Sequence, residues 1–332
     1  CSNTNLNMTI KDHAAGPAAY SDAWAGEGTF TYGTSTLSFT KSGTAVFNYL
    51  NDEDIYNLTL GTGNTLSLNC IDNTGGRLDL FGTLNMTGTK ITTGSVSGNS
   101  TVGFKGGDKT LVINNPTTAL ADLYRVSIMH DSGTLTVPAV TVKRLTCSGN
   151  GTTTLSGALT VNTGDLIVQA GTLDTSGSNH ALTCVAELKL EGGTLNCNAS
   201  DVIVRNIWGA SGTLSAPSNS STNGLEVTGR QTGGDNSNYS MYFVGTTLTN
   251  NDGLIVISAD VNTFIRMPQT LGNFKIRNDG SSTTRVHEFT MDFACDHNLT
   301  LENGTLQSYG TTQTLTVGDD VLLTKGTLGR AS

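Results

Sequence analysis

Charge is scarce in this 332-residue chain: Asp, Glu, Lys and Arg make up 14% of it, against roughly 25% in an average soluble domain. That excludes the disordered class, which combines low hydrophobicity with high net charge. Only 18 Lys+Arg are present, thinly spread, against a net charge of -9. No basic stripe could neutralise a phosphate backbone, so nucleic acid is not an expected partner. Long apolar runs are missing too: none approaches the roughly 18 to 20 residues that cross a bilayer, and no membrane insertion is expected. No leader with a basic start and an apolar centre is present. The chain opens on Cys1-Ser2, a start that would also suit a processed lipoprotein, and stops shortly after Gly326-Thr327-Leu328. It reads as a mature portion of a longer polypeptide.

Six cysteines are too few for a disulfide scaffold, and none forms a Cys-x-x-Cys pair. Their surroundings are more informative. Cys70 continues the alternation Leu66, Leu68; Cys197 follows Leu195 at a spacing of two; Cys295 follows Met291 and Phe293; Cys184 aligns with Val317 in the repeat described below. Each takes the place of a small inward-facing hydrophobe, so buried free thiols are expected rather than disulfides or metal ligands.

What the chain does contain is Gly, 40 residues of it, with abundant Thr, Asn and Ser around short apolar alternations. This is all-β text. It is also repetitive. At an offset of 133, Leu166, Gly171-Thr172-Leu173, Gly177, Leu182-Thr183, Leu190 and Gly193-Thr194-Leu195 meet Leu299, Gly304-Thr305-Leu306, Gly310, Leu315-Thr316, Leu323 and Gly326-Thr327-Leu328. Within each copy Gly-Thr-Leu returns after 22 residues, about one turn of a β-solenoid. In Leu166-Ile167-Val168 and Leu188-Lys189-Leu190 alternate residues face one way, so the leucines and Val168 enter a core while Lys189 stays wet. The expected fold is a parallel β-solenoid with coils of about 19–22 residues. Leu173, Leu195, Leu306 and Leu328 are expected in its core, with Gly171, Gly193, Gly304 and Gly326 at or near corners.

A second repeat divides the chain. At an offset of 218, Phe30, Leu37, Phe39 and Val46 meet Leu248, Ile255, Ile257 and Phe264. After a two-residue deletion, Ile55, Leu58 and Leu60 meet Leu271, Phe274 and Ile276, and Leu123, Val126 and Ile128 echo that closing strand. The organisation expected is a lead-in or cap over 1–26, a first cassette over 27–215, a polar loop or linker over 216–243 and a second cassette over 244–332. Two interruptions stand out. Residues 117–124, after Pro116, suit one or two helical turns bracing a coil. The polar stretch 216–240 runs into Tyr239, Met241, Tyr242 and Phe243; a plain loop is the simpler reading and a projecting binding loop built on Tyr239 and Tyr242 the sharper one.

Gly-Thr-Phe-Thr at 28–31, Gly-Thr-x-x-Leu-x-Phe at 33–39, Ile-Tyr-Asn-Leu-Thr-Leu at 55–60 and the later Gly-Thr-Leu rungs resemble the repetitive β-solenoid segments of large virion appendage proteins of bacteriophages, marine ones especially. Similar text occurs in secreted bacterial adhesins. The resemblance spans most of 27–332 except 216–243 and is more specific for fold than for function. It implies a structural fibre or tail-appendage segment on the virion surface, assembled as a homotrimer with other virion proteins and able to touch a host-surface glycan or protein. It carries over no catalytic residue. A secreted adhesin or surface-layer protein on the bacterial cell surface is the alternative, and a tailspike-like glycan hydrolase or lyase a second.

Reactive constellations are thin. The densest is Arg285, His287, Glu288, Asp292, Asp296 and His297. If 285–295 were one strand, Glu288 and Asp292 would share a face, as the acid/base pair of a glycan-cleaving solenoid would require. A solvated face accounts for the same residues without chemistry, and His287 reads as a core or edge histidine. Asp52-Glu53-Asp54 and Asp319-Asp320 fall in expected turns but lack the spacing of a calcium loop. No nucleophile elbow, phosphate loop or His-Glu-x-x-His motif occurs. No cofactor or metal is expected.

Overall fold

A computed structural model describes residues 125–330 apart from 219–222, 233–236, 279–284 and 311, together with strands between Asp22 and Ile113. Every regular element among them is a β-strand. The strands stack in parallel, coil on coil, which makes the fold a β-solenoid. The chain divides into two compact units, Cys1–Thr163 and Gly164–Ser332.

In the first unit three rows of parallel strands wind together. One row runs through Asp52–Ile55, Arg77–Leu80, Thr101–Phe104, Arg125–Ile128 and Leu145–Cys147. A second runs through Thr36–Phe39, Asn57–Leu60, Leu84–Met86 and Val112–Ile113, and a third through Asp22–Trp24, Gly43–Leu50, Asn64–Cys70 and Lys90–Thr93. Of the expected lead-in, Asp22–Trp24 is thus a strand of the stack, and the rest of 1–26 lies outside the described residues. So do 117–124, where helical turns were expected.

The second unit carries the candidate site, and its three faces follow directly from the register. On face one Leu166 pairs with Leu188, Leu188 with Ile207, Ile207 with Met241, Met241 with Ile265, Ile265 with Phe289, and His287 with Leu306. Face two stacks Leu173, Leu195, Leu214 and Leu248, then Phe293 on Leu315. Face three stacks Leu182, Val202, Leu225, Ile255, Phe274, Leu299 and Val321. Pairing residues of like size is what lets each coil cover the next. Leu166, Val168, Leu173, Leu188, Leu190, Leu195 and Leu306 are fully enclosed, and each such leucine contributes roughly 1.5 to 3 kcal/mol. Leu328 departs from this: its strand, Thr327–Arg330, pairs with Thr305–Ser308 alone among the described residues, and Leu328 stays 39% exposed.

Two coils show how the chain turns. Leu182–Asn196 and Val202–Ser215 are continuous strands of 15 and 14 residues, each passing all three faces, and they pair along most of their length. Register shifts near Cys184, Leu190 and Glu191 mark the corners. Gly212 sits at one with φ +89, and a side chain there would overlap the Gly193 carbonyl. The corner glycines expected from sequence divide by cause. Gly171 and Gly304 adopt φ 60 and 79. Gly193 and Gly326 are needed for close approach, since a Cβ would come 2.7 Å from the Ala170 oxygen in one and 2.5 Å from Leu301 Cβ in the other.

Two expectations need correction. Coils are not held to 19–22 residues: Thr134 pairs with Thr152, 18 residues on, and Ile207 with Met241, 34 on. Residues 216–243 are not a linker. Leu225–Val227 and Tyr239–Phe243 lie inside it, and each pairs with strands on both sides, so the segment contributes strands to the stack. No boundary separates 215 from 216, because both flanks belong to one stack. The offset-133 repeat is also out of phase by one face: Leu166 lies on face one and Leu299 on face three, Leu173 on face two and Leu306 on face one. The offset-218 match keeps its pairing. Leu37 pairs with Leu58, and the residues matched to them, Ile255 and Phe274, also pair.

Candidate functional site

Face one has two sides. Its inward row in the later coils is Met241, Ile265, Phe289 and Leu306, all buried. The alternation that buries them turns Tyr242, Phe264, Arg266, Glu288 and Gln307 outward. Tyr239 and Tyr242 therefore stand on a strand of the stack, Tyr239–Phe243, and not on a projecting loop. Their register partners are Phe264 and Arg266, and Tyr242 is itself the partner of Trp208.

The rings touch along one strand and across coils. Tyr239 meets Tyr242 edge-on at 4.8 Å between centroids and Phe264 at 5.5 Å. Phe264 reaches over the coil of Glu288 to meet Tyr309 edge-on at 5.3 Å. Such contacts fix ring orientation as well as burying area. Arg266 lays its guanidinium 5.6 Å from the centre of the Tyr242 ring, an attraction of cation and ring face. Tyr309 is 57% exposed, and Arg266 is exposed as well. Gln307 donates a hydrogen bond to Glu288 Oε1 at 2.7 Å, holding the carboxylate in place beside the rings. The outward residues of face two are instead Thr172, Asp174, Thr194, Asn196, Thr213, Ser215, Thr247 and Thr249, so the aromatic file sets face one apart from it.

The expected carboxylate pair does not share a strand. Val286–Phe289 ends before Asp292, and Phe293–Cys295 begins after it. Glu288 thus belongs to face one. Asp292 is exposed at the next corner, accepting a hydrogen bond from the Thr314 backbone N–H at 2.7 Å. His287 is a core histidine. It is fully enclosed, with Nε2 3.0 Å from Asn278 Oδ1 and Nδ1 2.8 Å from Thr263 Oγ1. The amide oxygen can only accept, so Nε2 carries the proton and Nδ1 accepts from the threonine. Burial pushes its pKa down to about 4.

Two further ionic groups were not legible beforehand. Lys189 joins Asp165 at 2.8 Å and Glu187 at 3.3 Å, and Asn206 donates to Glu187 Oε1 at 2.6 Å. Burial raises the Glu187 pKa; with a cation and an amide both engaged, this carboxyl works as a tie between coils. His297 sits between Asp319 (Nδ1, 3.0 Å) and Asp252 (Nε2, 3.2 Å). The coil between His297 and Asp252 presents Gly272, where a side chain would come 2.7 Å from Asn250 Oδ1 and 2.8 Å from the Asp252 backbone. Among the described residues no group of three or more His, Cys, Asp or Glu is arranged to hold a metal.

Cys147, Cys184, Cys197 and Cys295 are buried free thiols. Desolvation raises the pKa of each, to about 12 for Cys147 and about 11 for Cys184 and Cys295. They fill core positions and supply no nucleophile. Cys1 and the side chain of Cys70 lie outside what is described. Compared with known protein families, curated proteins and solved structures, the chain matches none.

Proposed function

We propose that this chain is a structural segment of a bacteriophage fibre or tail appendage, a β-solenoid shaft at the virion surface with one face adapted to touch the host. The observation that carries this reading is the continuous strand-to-strand pairing of face one from Leu166 to Arg330, which devotes this unit to an axial stack while the outward side of its later coils gathers rings. The resemblance of its Gly-Thr-Leu rungs to phage appendage segments supports the same assignment. Long strand faces with few charges do little to prevent association; a homotrimer held alongside other virion proteins would close those faces without open-ended growth. The reading gives the chain no catalytic step and no cofactor.

Mass spectrometry of purified particles, with the genes flanking its own, tests this. The chain is expected in the particles at stoichiometric abundance, among other virion proteins. Recovery from the surface or medium of an uninfected bacterium, with no particle bearing it, would replace this reading with the adhesin.

A further inference from the structure

We infer that the outward side of face one binds a neutral glycan chain, laid along the solenoid axis over Tyr242, Phe264 and Tyr309 with its hydroxyls engaged by Arg266, Glu288 and Gln307. This rests on the host-contact reading above and names the ligand class for that face.

Three observations lead there. The first is shape. The rings come from three coils, Tyr242 on one, Phe264 on the next and Tyr309 two coils later, in a file only a side chain or two wide. A narrow file along the axis suits an extended chain. A stable protein interface instead needs about 800 Å² on each partner. The second is chemistry. Aromatic faces cover the apolar C–H faces of pyranose rings, while polar groups beside them satisfy the equatorial hydroxyls. The polar set here has both senses: Arg266 donates, Glu288 accepts, and Gln307 keeps an acceptor oxygen while its amide holds Glu288. A sugar diol is both donor and acceptor and can use them together. The third is charge. One cation and one carboxylate flank the rings, and the whole chain carries -9, so long-range electrostatics oppose an acidic polymer. Fixed edge-to-face contacts among the rings keep the platform ordered before a ligand arrives, which lowers the entropy cost of binding.

Affinity electrophoresis of the full chain tests this in gels containing laminarin, dextran or galactomannan as neutral probes and alginate as an acidic one. Retardation is expected in at least one neutral gel and is insensitive to salt. Tyr309→Ala, at the most exposed ring, should weaken it about tenfold, as removal of a central aromatic contact does, and Arg266→Ala should weaken it with thermal unfolding unchanged. Retardation in none of the neutral gels overturns the inference, as does salt-sensitive retardation in alginate alone, or neutral binding that neither variant alters. Loss of self-association in Tyr309→Ala without any glycan retardation would also overturn it, reassigning the face to a second copy of the chain. The fibre reading fails separately: a chain that binds neutral glycan but is absent from particles keeps this inference and loses that one.

Discussion

Lowering the pH from 7 to 4 should cost this solenoid about 3 kcal/mol through a single side chain, His287. The imidazole is enclosed, its two nitrogens committed to Asn278 and Thr263, and burial alone holds its pKa down to about 4. In the unfolded chain the same group titrates near 6.5. Because the folded value is the lower one, the stabilisation is complete above about pH 6.5. It is then lost at about 1.4 kcal/mol per unit as the unfolded state alone takes up the proton, and levels off below about pH 4. Carboxylates titrate in the same window, so a reference variant is required. His287→Leu supplies it, matching the Leu306 that pairs with His287 on the neighbouring coil. That variant leaves Thr263 and Asn278 without their partner and starts less stable, but it cannot titrate. Urea unfolding of both proteins at pH 7, 6, 5 and 4 gives a stability difference that should shrink by about 3 kcal/mol across the series. A difference that stays constant within about 0.5 kcal/mol would show that His287 is not buried neutral, and the placement of its strand would fall with it.

Leu195→Ala should destabilise the second unit by about 2 to 5 kcal/mol in thermal or urea unfolding, since Leu195 is wholly enclosed between Leu173 and Leu214; an unchanged transition would defeat the assignment of faces. Cys147, Cys184, Cys197 and Cys295 should resist iodoacetamide until the chain is denatured, and fast native labelling of all four would contradict their burial. The hydrogen bonds to Asp319 and then Asp252 raise the His297 pKa, so the tie its imidazolium makes between the coils of Asp252, His297 and Asp319 is present at low pH and is lost as the pH rises through the raised value. An NMR titration should show the value falling in Asp319→Asn, and no change would remove the clasp. Sedimentation velocity at micromolar concentration should find a trimer, and a monomer across the whole concentration range would exclude that assembly.

The solenoid was legible because its core obeys a period of two within strands and returns Gly-Thr-Leu at nearly constant spacing, both local properties of the sequence. Coil length was less so. Pairing requires only that strands arrive in register, so Ile207 can reach Met241 over a long excursion that composition alone presents as a loop. Tyr239 and Tyr242 stood out for their ring density, but Phe264, Arg266 and Tyr309 did not, because they lie far apart in sequence and meet only when coils stack. Glu288 and Asp292 failed as a pair for a related reason. A spacing of four suggests one strand face, whereas the chain bends between Phe289 and Phe293, and nothing in Thr290-Met291-Asp292 announces that corner.

The one-face slip between the offset-133 copies has a consequence for how such a shaft can change length. If the same thirty residues serve with their first strand on face one in one copy and on face three in the other, the core does not distinguish its three walls, and the unit of growth is the single strand, a third of a turn. Insertion of one strand would carry everything downstream one face further round the axis. Lengthening the gene in such steps would therefore steer the aromatic file around the shaft like a hand on a dial, altering which direction it faces while leaving its own residues untouched.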